Sequence, residues 1–416
     1  MKTRKIILTI GIILVVLVVA GFITKEIINN ITEKITRDIT EREVARITQD
    51  QVGKITQEGI EQITPEETEK ITREIMGERT RDILGSSSDE TEEFVCDLAP
   101  TQRQFAHTPY YTGPLIDNHL HMPAFSSIVS MIAIQSGWED MPAFDQKLSS
   151  DFLICLLDSE GIQKSFGFYL APKPVLSSMV NGVKQIHQRH PDKIVAFYMP
   201  MPIPSIDPTT AEAEEILNEN PGLFQGIGEV KFDFNEVEND LPEDSKYLEK
   251  YLLADQHNLI IMMHPRKDQL DAVERLLKKH PTVPFLLHGV EVVRHDVGRL
   301  MNSYPNLYYS IDAELTSIYG WQASHQQQGP SKEEYLAYMR TNFNSKLQQS
   351  VEEWKVLIED HPDQFLWGTD RFARWHFDYK VGSVIEEMGR SFIGKLDPAV
   401  QEKFAYKNTE RLLRER

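Results

Sequence analysis

The stretch PLIDNHLHM, residues 114–122, is an apolar run that carries His119 and His121 two positions apart. In an extended strand, residues i and i+2 point to the same face, roughly 6.5 Å apart along the chain. Two imidazoles so placed can reach one metal ion. In a chain with 13 histidines the pair alone is a weak signal. Its meaning depends on what the rest of the chain brings beside it.

Seven further runs have the same β-branched, apolar character: GIQKSFGFYL (161–170), KIVAFYMPMP (193–202), GIGEVKFDF (226–234), LIIMMHP (259–265), VPFLLHG (283–289), NLYYSIDA (306–313) and QFLWGTDRF (364–372). Periodic, helix-like segments such as PVLSSMVNGVKQIHQRH, TTAEAEEILNEN and DQLDAVERLLKKH lie between them. Five helix ends carry the same punctuation: His190-Pro191, Asn220-Pro221, His280-Pro281, Tyr304-Pro305 and His361-Pro362. Proline stops a helix and hands the chain to the next strand. Eight strand-then-helix units make an α/β protein, a (β/α)8 TIM barrel over residues 94–416. An open, doubly wound sheet is the alternative.

In such a barrel the C-terminal strand ends build the active site. Strand one ends in His119 and His121, and strand four carries Glu229 and Lys231. Strand five ends in His264, strand six in His288 and strand eight in Asp370. Imidazole and carboxylate suit zinc, manganese or iron, with a position left for water. A bound ion brings the pKa of its water towards about 7, and a nearby carboxylate such as Asp370 can accept the proton. The pair His187/His190 lies near a helix end, away from the strand ends, and is read as structural.

The stretch from about 114 to 413 resembles the amidohydrolase superfamily, and most of all its aminocarboxymuconate-semialdehyde decarboxylase-like branch. The matching residues are Asp117-Asn118-His119-Leu120-His121, His264 in MMHP, His288 in LLHG, Gly368-Thr369-Asp370 and Asn408-Thr409-Glu410-Arg411-Leu412. The resemblance implies one metal held by His119, His121, His264 and Asp370, with His288 polarising substrate or moving a proton. Strand four departs from that branch. Gly228-Glu229-Val230-Lys231 is similar to the strand-four run of TatD-like hydrolases, which implies a metal-bridging role for Glu229 and a second ion. Lys231 raises a carboxylated lysine, as in other members. A Glu229–Lys231 ion pair at the barrel mouth is the competing reading.

Arg266, Arg371 and Arg374 flank these ligands, and guanidinium suits carboxylate or phosphate. Arg266, Arg371 and Lys231 are therefore candidate substrate-binding residues; ordinary ion pairing with the chain's many acids is the other reading. Trp138, Trp321 and Trp375 fall in loops on the same side and could line a pocket.

The N-terminal region is of another kind. Residues 6–23, IILTIGIILVVLVVAGFI, follow a basic head and hold no charge. That is long enough to span a thin bilayer, so residues 1–24 are expected to be a transmembrane signal anchor; a cleaved signal peptide is the alternative. The basic head places the catalytic domain outside the cytoplasm. Residues 31–86 repeat with a period of eight, and Ile-Thr opens six of seven units. This marks residues 25–93 as a stalk or tether, roughly 80 Å long if helical, ending in the junction GSSSDETEE (85–93). Such repeats could also bring several barrels together.

Composition sets outer limits. Lysine and arginine number 44 against 63 acids, a net charge of −19. That excludes a nucleic-acid polymer as the main partner. With only Cys96 and Cys155, no disulfide framework is expected, and Cys155, in the apolar run DFLICLL, is read as core. No Gly-rich phosphate loop or Gly-x-Ser-x-Gly elbow occurs. The expected activity is that of a membrane-anchored, metal-dependent hydrolase cleaving a C–O, C–N or P–O bond of a small substrate, anionic if the arginines serve it. A non-oxidative decarboxylase and a non-catalytic surface scaffold are the alternatives.

Overall fold

The computed structural model describes residues 94–415, apart from 106, 123–148, 172, 174–175, 201–206, 232–241, 290–293, 317–331 and 373. The expected transmembrane segment and the octad stalk lie outside the described residues. So do Trp138, Trp321 and the side chains of Lys231 and Arg374. Among the described residues, no helix is long and apolar enough to cross a membrane.

Eight strands form one parallel sheet in sequential order: β1 (Leu115–His121), β2 (Ile162–Leu170), β3 (Ile194–Met199), β4 (Phe224–Lys231), β5 (Ile260–His264), β6 (Phe285–Leu287), β7 (Leu307–Ile311) and β8 (Phe365–Trp367). All eight coincide with the runs read from sequence, though β6 and β8 are shorter. Each is almost wholly buried, because helices cover the outside and side chains fill the inside. The sheet curls until its ends meet. Just past β8, Leu120 bridges to Arg371, Asp370 N–H donates to His119 O (2.8 Å) and His121 N–H donates to Arg371 O (3.0 Å). The closing seam therefore runs through the residues that sequence marked as metal ligands.

The surrounding helices are α1 (Ser150–Ser159), α2 (Leu176–Arg189), α3 (Thr210–Glu219), α4 (Ser245–His257), α5 (Leu270–Lys279), α6 (Arg294–Met301), α7 (Ala313–Thr316), α8 (Lys332–Asp360), α9 (Tyr379–Lys395), α10 (Pro398–Glu402) and α11 (Asn408–Arg414). The five X-Pro pairs fall where α2, α3, α5, α6 and α8 end, as their chemistry requires. Local signals fix individual ends: Thr209 and Glu212 form a reciprocal capping box on α3. Asn408 donates to the carbonyls of Pro362 and Phe365 (both 2.9 Å), tying α11 to the base of β8. Inside the barrel wall, Phe197 stacks between Phe166 and Phe168. Gly226 leaves room for that ring, since a Cβ there would sit 2.1 Å from it.

One expectation is corrected. Cys96 and Cys155 form a disulfide across 59 positions of sequence. Cys155 is buried in α1 as expected, but its role is a covalent one. The bond pins the segment before β1 to the barrel. Hydrogen bonds continue the attachment: Thr101 N–H to Ser159 O (2.8 Å), Gln104 and Phe105 N–H to the Glu387 carboxylate (2.6 and 2.8 Å), and Arg390 to Gly113 O (2.7 Å).

Candidate metal centre

His119 and His121 leave β1, Glu229 leaves β4 and His264 ends β5. His288, Asp312 and Asp370 stand just beyond β6, β7 and β8. All but His264 are buried, and His264 is nearly so. Donor atoms of three overlapping sets lie within 4.8 Å of one another: His119, His288, Asp312 and Asp370; His119, His121 and Glu229; and Glu229, His264 and His288.

The distances define a continuous network. His121 Nε2 is 3.2 Å from Asp370 Oδ1 and 3.6 Å from Glu229 Oε2. Glu229 Oε1 lies 2.8 Å from His264 Nδ1 and 2.9 Å from His288 Nε2. Glu229 thus stands between the β1 histidines and those of β5 and β6. The competing pairing of Glu229 with Lys231 lies outside the described residues.

Local backbone chemistry aims these groups. Asp117 accepts from His119 N–H (3.1 Å), Thr369 N–H (2.9 Å) and Thr369 Oγ1 (2.6 Å), so it locks β1 to the β8 turn and is no ligand. Burial nevertheless pushes its carboxyl up to about 6, against the pull of Arg371 and Thr369. Asp370 itself has φ +50°, a left-handed conformation unusual for a side chain larger than glycine. Gly368 is needed beside it, because a Cβ would meet Ser310 Oγ at 2.9 Å. Gly289, at φ +118°, leaves space for His264, whose Nε2 would lie 2.6 Å from a Cβ there.

The electrostatics favour neutral imidazoles. Burial holds His119 down to about 4, despite the raising pull of Asp370. Burial also keeps His288 well below its ordinary value, with Glu229 opposing. Neutral imidazole is the form that ligates metal. His119 Nε2 is buried and makes no hydrogen bond among the described residues. A neutral nitrogen of this kind, beside three carboxylates drawn from different strands, fits a divalent cation: it supplies a lone pair, and the acids need a counter-charge.

Sequence reasoning missed Asp312. Its Oδ2 lies 2.9 Å from His119 Nδ1, 3.1 Å from Ser310 Oγ and 3.5 Å from His288 Nδ1. The rule that found Asp370, a polar residue ending a strand, would have found it too. Next to it, Glu314 accepts from Asp312 N–H (3.0 Å) and Tyr309 OH (3.0 Å), its carboxyl pushed up to about 8 by burial and by Asp312.

The expected substrate-binding role of Arg371 is corrected. Its side chain is 0% exposed, and its guanidinium forks onto Glu160 at 2.9 and 2.7 Å. It points into the wall, the side opposite to its neighbour Asp370. Of the two readings from sequence, ion pairing is the one realised. Arg266 stays near the mouth, partly exposed and paired with Asp268 at 3.1 Å. Trp375 packs on Tyr335 and His376. His190 pairs with Asp151 at 3.0 Å on the helical layer, consistent with a structural role.

A family model described as amidohydrolase matches residues 183–414. No curated protein matches the sequence. Solved structures with a similar fold include an amidohydrolase from Burkholderia multivorans with bound zinc, 11% identical, covering 73% of this chain and 99% of that one at a TM-score of 0.47. A TatD homologue from Escherichia coli K12 is 14% identical over 72% of this chain and 97% of its own, at 0.43. A 2,6-dihydroxybenzoate decarboxylase from Rhizobium is 13% identical over 72% and 98%, at 0.36.

Proposed function

Since this chain belongs to the amidohydrolase family, we propose that it is a metal-dependent hydrolase that cleaves a C–O, C–N or P–O bond of a small substrate at the centre on β1, β4, β5, β6 and β8. Family membership makes it an enzyme and sets the non-catalytic scaffold aside. One observation carries the reading: imidazoles and carboxylates from separate strands gather in three overlapping clusters, with His119 and His288 kept neutral by burial and His119 Nε2 without a hydrogen bond among the described residues. His119, His121, His264 and Asp370 would hold a divalent ion, zinc first and manganese or iron next, and Glu229 would serve a second. Such an ion supplies Lewis-acid activation of water and substrate.

The chain's own residues do the rest. Asp370 accepts the proton of the attacking water and returns it to the leaving group. Its left-handed backbone and its N–H bond to His119 O hold the carboxylate toward both β1 histidines. His288, kept neutral by burial, polarises the substrate. Of the sequence candidates, Arg266, partly exposed beside His264, would meet an anionic substrate.

A panel of esters, lactones, amides and phosphoesters, assayed with and without chelator, tests this reading. Turnover that is lost with chelator and in Asp370→Asn supports it. Metal-dependent CO2 release from aromatic or enol acids, with no hydrolysis, would replace it by the decarboxylase.

We also place the barrel outside the cytoplasm, carried on the N-terminal apolar segment. The Cys96–Cys155 bond supports this, since such bonds persist in oxidising compartments. Protease accessibility of the barrel on intact cells would test it.

A further inference from the structure

Asp312 is absent from the ligand set that the motifs indicate, yet it touches that set at its centre. His119 has two ring nitrogens on opposite sides. Nδ1 meets Asp312 Oδ2 at 2.9 Å, while Nε2 lies 3.4 Å from Asp370 Oδ1 and makes no hydrogen bond among the described residues. Asp312 is held in turn, since Ser310 Oγ donates to the same Oδ2 at 3.1 Å. The His119 ring is also wedged edge-on by Phe168 (4.9 Å) and His288 (4.3 Å), so it has little room to turn over.

We infer that Asp312 is a positioning residue that fixes the tautomer of His119. A carboxylate only accepts, so His119 must carry its proton on Nδ1 to satisfy it. Nε2 is then a bare lone pair facing Asp370. With Asp312 removed, the proton is free to sit on Nε2, where it blocks a ligand bond. Carboxylate–histidine pairs of this kind also raise the basicity of the metal-facing nitrogen. Ser310 assists by orienting Asp312, and Gly368 leaves the space that Ser310 needs. The inference rests on the metal reading above.

The test uses the full-length chain, its Asp312→Asn and Ser310→Ala variants, and His119→Ala. Zinc affinity of the metal-free proteins is measured by chelator competition. Long-range 1H–15N NMR on histidine-labelled protein reads the His119 tautomer directly, assigned by its loss in His119→Ala. The expected results are an Nδ1–H tautomer in the parent chain and a loss of the pure Nδ1–H signal in Asp312→Asn. Zinc binding should weaken by about 10–100-fold in Asp312→Asn, and by less in Ser310→Ala. Ser310→Ala keeps the test alive if Asp312→Asn does not fold. If the parent binds no zinc, the metal reading itself fails. If the parent binds zinc and Asp312→Asn binds it equally, with His119 unchanged, the inference is overturned. Complete loss of zinc in Asp312→Asn, equal to that in His119→Ala, would make Asp312 a ligand and also overturn it.

Discussion

Arg371 and Glu160 meet as a two-pronged ion pair, 2.9 and 2.7 Å, with neither side chain exposed to solvent. Arg371 directly follows Asp370, and Glu160 caps the helix that carries Cys155. The pair therefore links the proposed catalytic turn to the disulfide-anchored outer layer. Gly382 makes room for it, because a Cβ there would fall 1.9 Å from Glu160 Oε1.

Removing one member of this pair leaves a buried charge uncompensated. Glu160→Ala or Arg371→Ala should lose about 3–5 kcal/mol of stability, read from urea unfolding. Arg371→Lys should recover little, since an ammonium cannot fork onto both oxygens. Arg371→Lys with full stability and a raised KM alone would return Arg371 to the substrate.

The disulfide closes a long loop. Cys96→Ser should lower stability by about 4 kcal/mol on the chain-entropy estimate, while zinc content stays that of the parent. Thiol titration of the unfolded, unreduced protein should find no free cysteine. Two titrating thiols would contradict the bond.

Gly289→Ala should damage the metal centre without touching a ligand. Its added methyl would press on His264 Nε2, and its φ of +118° is strained for alanine. Zinc affinity should fall about tenfold or more, by analogy with other disturbed supports of ligands. Gly222→Ala is the control: φ is +78° but nothing lies within 4 Å of the new methyl. It should lose stability and keep zinc.

In metal-free protein the buried histidines should cost stability as pH falls from 7.5 to 5. His119, His288 and His376 are all held below their ordinary values, in each case chiefly by burial. The unfolded chain gains protons near pH 6.5 that the folded chain refuses. Their contribution is thus full well above 6.5 and drains away below it, by about 2 kcal/mol at pH 6 for the three together. Glu314, its carboxyl pushed up to about 8, takes up a proton in the folded state first and offsets most of that loss between pH 7.5 and 6, so the net fall should come below pH 6. Asp117, raised to about 6, works in the same direction as Glu314 at lower pH and reduces that fall. Urea unfolding across this range, with chelator present, measures the slope.

The barrel was legible because buried parallel strands read as unbroken apolar runs and proline marks the helix ends. The lengths of β6 and β8 were not. Gly289 and Asp370 adopt positive φ immediately beyond them and turn the chain out of the sheet, which composition does not reveal. His119, His121, Glu229, His264, His288 and Asp370 stand out in the sequence because each lies at or just beyond the end of a strand and has metal-binding chemistry, and the structure gathers them into neighbouring clusters. Asp312 obeys the same rule but matches no motif residue, so it passed as the tail of NLYYSIDA. Arg371 was misread because sequence shows that a cation follows Asp370, not that it turns the other way to meet Glu160, 211 positions distant. Cys96 and Cys155 were kept apart for a similar reason: nothing local to either shows that the segment before β1 lies across α1.

The most direct test of the central claim is the metal content of the purified full-length chain, measured by mass spectrometry beside His119→Ala/His121→Ala. One or two transition-metal ions per chain, lost in the double variant, is the predicted result, and the number decides whether Glu229 serves a second ion. No stoichiometric metal, even after reconstitution with zinc or manganese, would contradict the account.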